Sequence, residues 1–138
     1  MHQGSHRDHE GAQKLFSLIK DVKIAMMTTV DADGQLRSRP MWNQDADENG
    51  DLWFFVKVDA PVTTEISRDN QINLAYSDPS SQNYVSVSGK AEIVRDKAKI
   101  DDKWSESLKT WFPGGKDDPQ VALIRVHPEK GEYWDSPN

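Results

Sequence analysis

The chain has 138 residues, 36% of them hydrophobic, with five Trp and no Cys. This length fits one domain, and the apolar share is enough to build a core. The lack of Cys excludes disulfides, thiol catalysis and thiolate metal sites, and the formal charge of −6 argues against a nucleic-acid surface, which needs a basic face.

Residues 1–9 are polar and are expected to form a mobile leader before a single domain over 10–138. A helix is predicted from Asp8 or His9 to about Lys20, with Ala12, Leu15, Phe16, Leu18 and Ile19 as its apolar face. Val22–Val30 reads as a strand. Asp33-Gly34 is a hairpin signal, and Gln35–Trp42 is the returning strand. After an acidic loop, Leu52–Val58 is an aromatic strand, read as the hairpin partner of the one before it. Ala60-Pro61 opens a short helix that ends near Asn70, because Pro suits the first helical position. Gln71–Ser77 and Asn83–Arg95 follow as strands, with Gly89 expected at a bulge. Lys97–Phe112 is predicted as one helix, since Ile100, Trp104, Leu108 and Trp111 form one stripe. Val121–Val126 and a short Gly131–Trp134 complete a mainly β chain with few helices. A β-barrel suits this pattern because closure removes exposed strand edges.

The chemistry concentrates in Gln35–Val58. Arg37 and Arg39 alternate with Ser38 and Pro40, so both arginines share one face of their strand. Guanidinium groups bind phosphate oxygens at fixed geometry, and the neighbouring aromatic strand would wall a flat ring. The pair suggests a site for a phosphorylated aromatic cofactor. A polar-edged strand beside a core strand fits the same periodicity. Two other motifs fail. Asp45-Ala46-Asp47-Glu48-Asn49-Gly50 opens like a calcium loop, but Val56 stands where the closing Glu belongs, so a hairpin turn is expected. Three of the four His lie in the leader, which leaves His127 alone for the folded part, and no metal site is expected.

Several segments in order carry a resemblance: Ile24-Ala25-Met26-Met27-Thr28-Thr29, Leu36-Arg37-Ser38-Arg39-Pro40-Met41, Leu52-Trp53-Phe54-Phe55, Ile72-Asn73-Leu74-Ala75-Tyr76, Tyr84-Val85-Ser86-Val87-Ser88-Gly89, Trp111-Phe112-Pro113-Gly114-Gly115 and Glu132-Tyr133-Trp134-Asp135. Together they resemble the FMN-binding split-barrel proteins related to pyridoxamine 5′-phosphate oxidase, in the general stress protein 26 branch. The resemblance implies a split barrel, a homodimer and FMN at the subunit interface. It implies that Arg39 reaches the FMN phosphate with Arg37 and Ser38 beside it. Pro40, Met41 and Trp42 would pass along the isoalloxazine ring. Phe54, Phe55 and Val56 would meet the flavin and its ribityl chain. Trp111 and Trp134 match aromatics near the ring, often from the partner subunit, and Tyr84 matches a strand near the phosphate end.

One departure stands out. Family members often carry Ser and Lys where this chain has Ala60 and Val62, and those residues hold the phosphate. Lys57, Thr63, Thr64 or backbone N–H groups at the helix start are the candidate substitutes. The resemblance implies a flavin-dependent oxidoreductase with a small-molecule redox partner. Two alternatives stay open: a non-catalytic flavin binder and a cofactor-free member. A second basic cluster for a substrate phosphate is missing near the C-terminus, which counts against vitamin B6 oxidation. No catalytic acid or base stands out. No apolar run reaches the roughly twenty residues of a membrane span, and the first ten residues lack the apolar centre of a secretory signal, so a cytoplasmic chain without a membrane partner is expected.

Overall fold

The described residues form seven strands in one antiparallel sheet, with helices packed against it. The computed structural model describes residues 2–6, 9–44, 46–47 and 49–135. In chain order the elements are β1 (His2–His6), α1 (His9–Ile19), β2 (Ile24–Val30), β3 (Leu36–Trp42), β4 (Leu52–Lys57), α2 (Pro61–Arg68), β5 (Gln71–Asp78), β6 (Asn83–Val94), α3 (Lys97–Lys103) and β7 (Val121–Asp135). The sheet runs β1-β7-β6-β5-β2-β3, and β4 also pairs with β7.

The β2–β3 hairpin forms where Asp33-Gly34 signals it. Asp31 Oδ1 accepts from the N–H of Asp33 and of Gln35, both at 2.9 Å, and Gly34 takes the positive φ of +80° that favours glycine. Gly89 marks the expected irregularity. The β6–β7 register shifts between Ser88 and Gly89, and a Cβ on Gly89 would collide with the His127 carbonyl oxygen.

Four expectations are corrected. First, β3 and β4 are not a paired hairpin. β3 pairs with β2 and β4 with β7, and the two touch at an Asn43–Phe54 bridge. Closing the sheet into a barrel brings its two edges together there, so pairing with distant strands wins over the local connection. Second, the predicted helix over 97–112 breaks. α3 ends at Lys103, Trp104 is extended, and Glu106–Thr110 is a 3-10 turn. The Trp104 ring stands edge-on to Phe55 at 5.8 Å, and this tertiary contact overrides the helical stripe. Third, Val121–Asp135 is one strand, not two. Fourth, His2–His6 of the leader pair with Gly131–Asp135 of β7. Ala12, Asp45 and Glu48, named above, lie outside the described side chains.

Two cores result. Inside the curl, Ala25, Met27, Phe54, Val56, Leu74, Tyr76, Val87 and Ile124 pack with Leu15 and Ile19 of α1 and Val62 and Ile66 of α2. Outside it, Trp53 and Phe55 pack under Ile100, Leu108 and Phe112. β4 is therefore buried on both faces, which explains its continuous apolar run Leu52-Trp53-Phe54-Phe55-Val56.

Candidate functional site

Asn43 fixes the point from which β3 and β4 diverge. Its N–H donates to the Lys23 carbonyl at 2.7 Å, its Nδ2 donates to the Val22 carbonyl at 3.3 Å, and its Oδ1 accepts from the Tyr76 hydroxyl at 3.3 Å. From there the two strand edges part and leave a groove of about 480 Å3. That volume falls within the roughly 300–1,000 Å3 typical of small-molecule sites. One wall is Arg37–Trp42 of β3. The other is Phe55, Val56 and Lys57 of β4, continuing into Ala60, Pro61 and Val62 at the start of α2. Leu108, Trp111 and Phe112 close the aromatic end.

The groove is graded in chemistry. At one end Trp42 and Trp111, each almost half exposed, meet with ring centroids 5.6 Å apart at 43°. The pair puts aromatic surface on the groove wall at this end. At the other end stand the cations. Arg37 and Lys57 are exposed, and their side chains have no ion pair among the described residues. Arg39 is different. Its Nη1 donates to Thr29 Oγ1 at 2.7 Å and to the Met27 carbonyl at 3.3 Å. Its Nη2 donates to both oxygens of Glu65, at 3.0 and 3.2 Å. Thr29 and Glu65 are buried. Among the described residues, no carboxylate or imidazole lines the groove.

Most of the residues singled out from the sequence meet here: Arg37, Ser38, Arg39, Pro40, Met41, Trp42, Phe55, Val56, Lys57 and Trp111 all line the groove. Three do not. Phe54 points into the inner core and is fully buried. Thr63 is buried, and its hydroxyl donates to the Lys57 carbonyl at 2.7 Å, tying the turn between β4 and α2. Trp134 lies on β7 opposite Tyr84, away from the groove lining of its own chain. Ala60 and Val62, the positions where the resemblance implies Ser and Lys, both line the groove. Sequence reasoning missed Leu108, Phe112 and Glu65. Glu65 carried a signal: it lies three residues after the apolar Val62 and one before Ile66, at a place on α2 where a charge needs a partner.

A second polar cluster lies before the first residue of β4. Asp51 is buried, and its Oδ2 accepts from Arg125 Nε and Nη2, each at 2.7 Å. Its Oδ1 is 3.0 Å from His127 Nδ1. The Asp51 hydrogen bond raises the Arg125 pKa. Next to it, Asp47 closes the loop before β4. Burial raises its pKa, but hydrogen bonds from Trp53 Nε1 and from the backbone N–H of Asp51 and Asn49 outweigh this and hold the carboxyl below its ordinary value of 3.8. These contacts make the segment a closed turn.

The model of the pyridoxamine 5′-phosphate oxidase like family matches residues 10–138. The chain belongs to that family. It is 33% identical over 129 residues to protein bli-3 of Neurospora crassa, a match covering 86% of this chain and 62% of that protein. The chain thus spans under two thirds of that relative's length. Among solved structures, a protein related to general stress protein 26, from Clostridium acetobutylicum, superposes with a TM-score of 0.80 at 21% identity, covering 95% of this chain and 92% of the other. A general stress FMN/FAD binding protein of Xanthomonas citri superposes with a TM-score of 0.78 at 26% identity, covering 94% and 91%. The split barrel expected from the sequence is the fold of this family member. No helix among the described residues is long and apolar enough to cross a membrane.

Proposed function

We propose that this chain is an FMN-binding flavoprotein that holds its flavin in the β3–β4 groove. The groove's grading carries this reading: aromatic faces at one end, the unpaired cations Arg37 and Lys57 at the other, and strand edges between them. An amphipathic ligand with a planar ring and an anionic tail fits that order of surfaces. The Xanthomonas citri relative, described as FMN/FAD binding, supports it. Trp42, Met41, Phe55 and Trp111 would orient the ring and exclude water. Arg37, Lys57 and the start of α2 would meet the phosphate. A bound flavin supplies hydride or electron transfer, and the protein supplies orientation and electrostatics. The reading includes an oxidoreductase role with a small-molecule partner in the cytoplasm.

The reading also includes a homodimer. Ile24, Met26, Leu36 and Trp42 are exposed on one face of β2 and β3, where Ile24 stands opposite Trp42 and Met26 opposite Pro40. Covering this face with a second copy would remove the exposed apolar side chains from water. It would also place a partner beside the groove at Trp42.

A non-catalytic flavin carrier is the second reading. The absence of any carboxylate or imidazole from the described groove lining favours it. The visible spectrum of freshly purified protein, followed by titration with FMN and riboflavin, tests the shared core of both readings. Turnover with a chemical reductant then separates them. Failure to bind either flavin would reject both. Light scattering should report about twice the 15.7 kDa chain mass.

A further inference from the structure

The terminal nitrogens of Arg39 are already engaged. A guanidinium offers five N–H groups in one plane, and four belong to its terminal nitrogens. Here those two nitrogens meet four acceptors: Thr29 Oγ1, the Met27 carbonyl and both oxygens of Glu65. The side chains of Arg39 and Glu65 are only 22% and 9% exposed. An anion binding Arg39 through Nη2 would have to displace a buried carboxylate from a two-point contact. Stripping such a carboxylate of its partner is strongly disfavoured. Arg37, two residues earlier on the same strand face, has no such partner, and neither does Lys57 across the groove.

We infer that Glu65 is a positioning residue that keeps Arg39 out of anion binding and turns it into a brace across β2, β3 and α2, so that Arg37 and Lys57 are the side-chain cations that meet the anionic end of the ligand. The inference rests on the flavin reading above and adds a division of labour between the two arginines. The brace has a plain physical purpose. Two arginines two residues apart on one strand face would repel each other over an empty groove. Pairing one of them with a buried carboxylate removes that repulsion. It also ties β3, an edge strand, to α2. The start of α2 lines the groove, so the brace sets the distance between the groove's walls. Val62 brings no charge to the groove wall, so the side-chain cations at the phosphate end are the two exposed residues Arg37 and Lys57.

The test uses the full chain and the ratio of dissociation constants for riboflavin and FMN, read from flavin fluorescence. That ratio isolates the phosphate, because both ligands carry the same ring. Arg37→Ala should lower the ratio about tenfold, the scale of one charge-assisted contact, with little change in melting temperature. Glu65→Gln should raise the ratio about threefold or more by unmasking the Arg39 charge, and the gain should shrink in high salt. A residue that merely supports the fold would weaken both ligands and leave the ratio alone. The double change Arg39→Met with Glu65→Leu replaces the pair by apolar groups of similar volume, which buried ion pairs often tolerate. It guards against a single variant that does not fold, and its ratio should stay at the wild-type value. A roughly tenfold fall in the double variant, or no change in Arg37→Ala, would make Arg39 the phosphate ligand and overturn the inference. Wild-type protein that binds neither flavin overturns the flavin reading and this inference together. Wild-type binding with the wrong ratios overturns this inference alone.

Discussion

Two arginine–carboxylate clusters stand at the two ends of β4, and their differences are instructive. Beside the groove, Arg39 grips both oxygens of Glu65, and the carboxylate's other described contact is Thr29 Oγ1 at 3.5 Å. Before Leu52, Arg125 grips one oxygen of Asp51 with two nitrogens, while His127 takes the other oxygen. Arg39 is 22% exposed and Arg125 is 39% exposed, with its guanidinium over the Trp53 ring at 5.5 Å. The first cluster relies on one strong partner and borders the groove. The second has a spare partner and touches no groove residue in its polar contacts. Similar chemistry should therefore have different consequences: a fragile brace coupled to ligand binding, and a redundant clamp coupled to folding alone.

The largest expected effect comes from breaking the fragile cluster. Arg39→Ala leaves Glu65 buried without a cation and should cost about 3–5 kcal/mol in denaturant unfolding. Arg125→Ala leaves Asp51 with His127 and should cost less, about 1–3 kcal/mol. Flavin affinity should be untouched in Arg125→Ala, measured under conditions where the variant is folded. Equal costs for the two arginines would mean that the clusters do not differ in redundancy. Smaller effects on stability are expected at the groove mouth. Trp111→Ala removes a half-exposed ring and its tilted contact with Trp42, so its stability cost should be about 1 kcal/mol or less. Its affinities for FMN and riboflavin should fall together by roughly tenfold, since the ring is common to both ligands. A loss confined to FMN would assign Trp111 to the phosphate end.

Local patterning made much of this fold legible. Alternation located β2, β3, β5 and β6, Asp33-Gly34 located the hairpin, and Gly89 located the bulge, because each depends on neighbours in sequence. The errors share a cause. The partner of β4 lies more than sixty residues away on β7, so nothing near Leu52 announces it. Trp104 leaves its helix for Phe55 and Phe112, and no helical stripe foretells contacts with a distant strand. The groove walls on β3 and β4 were readable because aromatic and basic residues crowd there. Glu65 was hidden because a single acid in a short helix resembles a solvated one until β2 and β3 close over it. Arg37 and Arg39 look equivalent in sequence, and only the third dimension separates the braced arginine from the exposed one.

The smallest expected effect sharpens the second cluster. Asp47 accepts from Trp53 Nε1 at 2.9 Å and from the backbone N–H of Asn49 and Asp51 at 2.9 and 3.0 Å, and these bonds favour its charged form. Its folded pKa is held below the ordinary 3.8 despite burial. A carboxyl with a depressed folded pKa contributes stability that is fully present above the unfolded value and is lost as pH falls through the folded one. Wild type should therefore exceed Asp47→Asn by about 1 kcal/mol near neutral pH, the scale of a hydrogen bond to a charged group after solvent competition. The gap should begin to close only below 3.8, where the unfolded chain takes up its proton first. Denaturant unfolding of both proteins from about pH 3 to about pH 7 measures it, with Trp53 emission reporting the indole's lost acceptor. A gap that stays constant across that range would assign the effect to the shape of the turn. A gap that widens toward acid would contradict the depressed pKa. Flavin affinity should not change in this variant, because Asp47 belongs to the clamp before β4 and not to the groove beyond its other end.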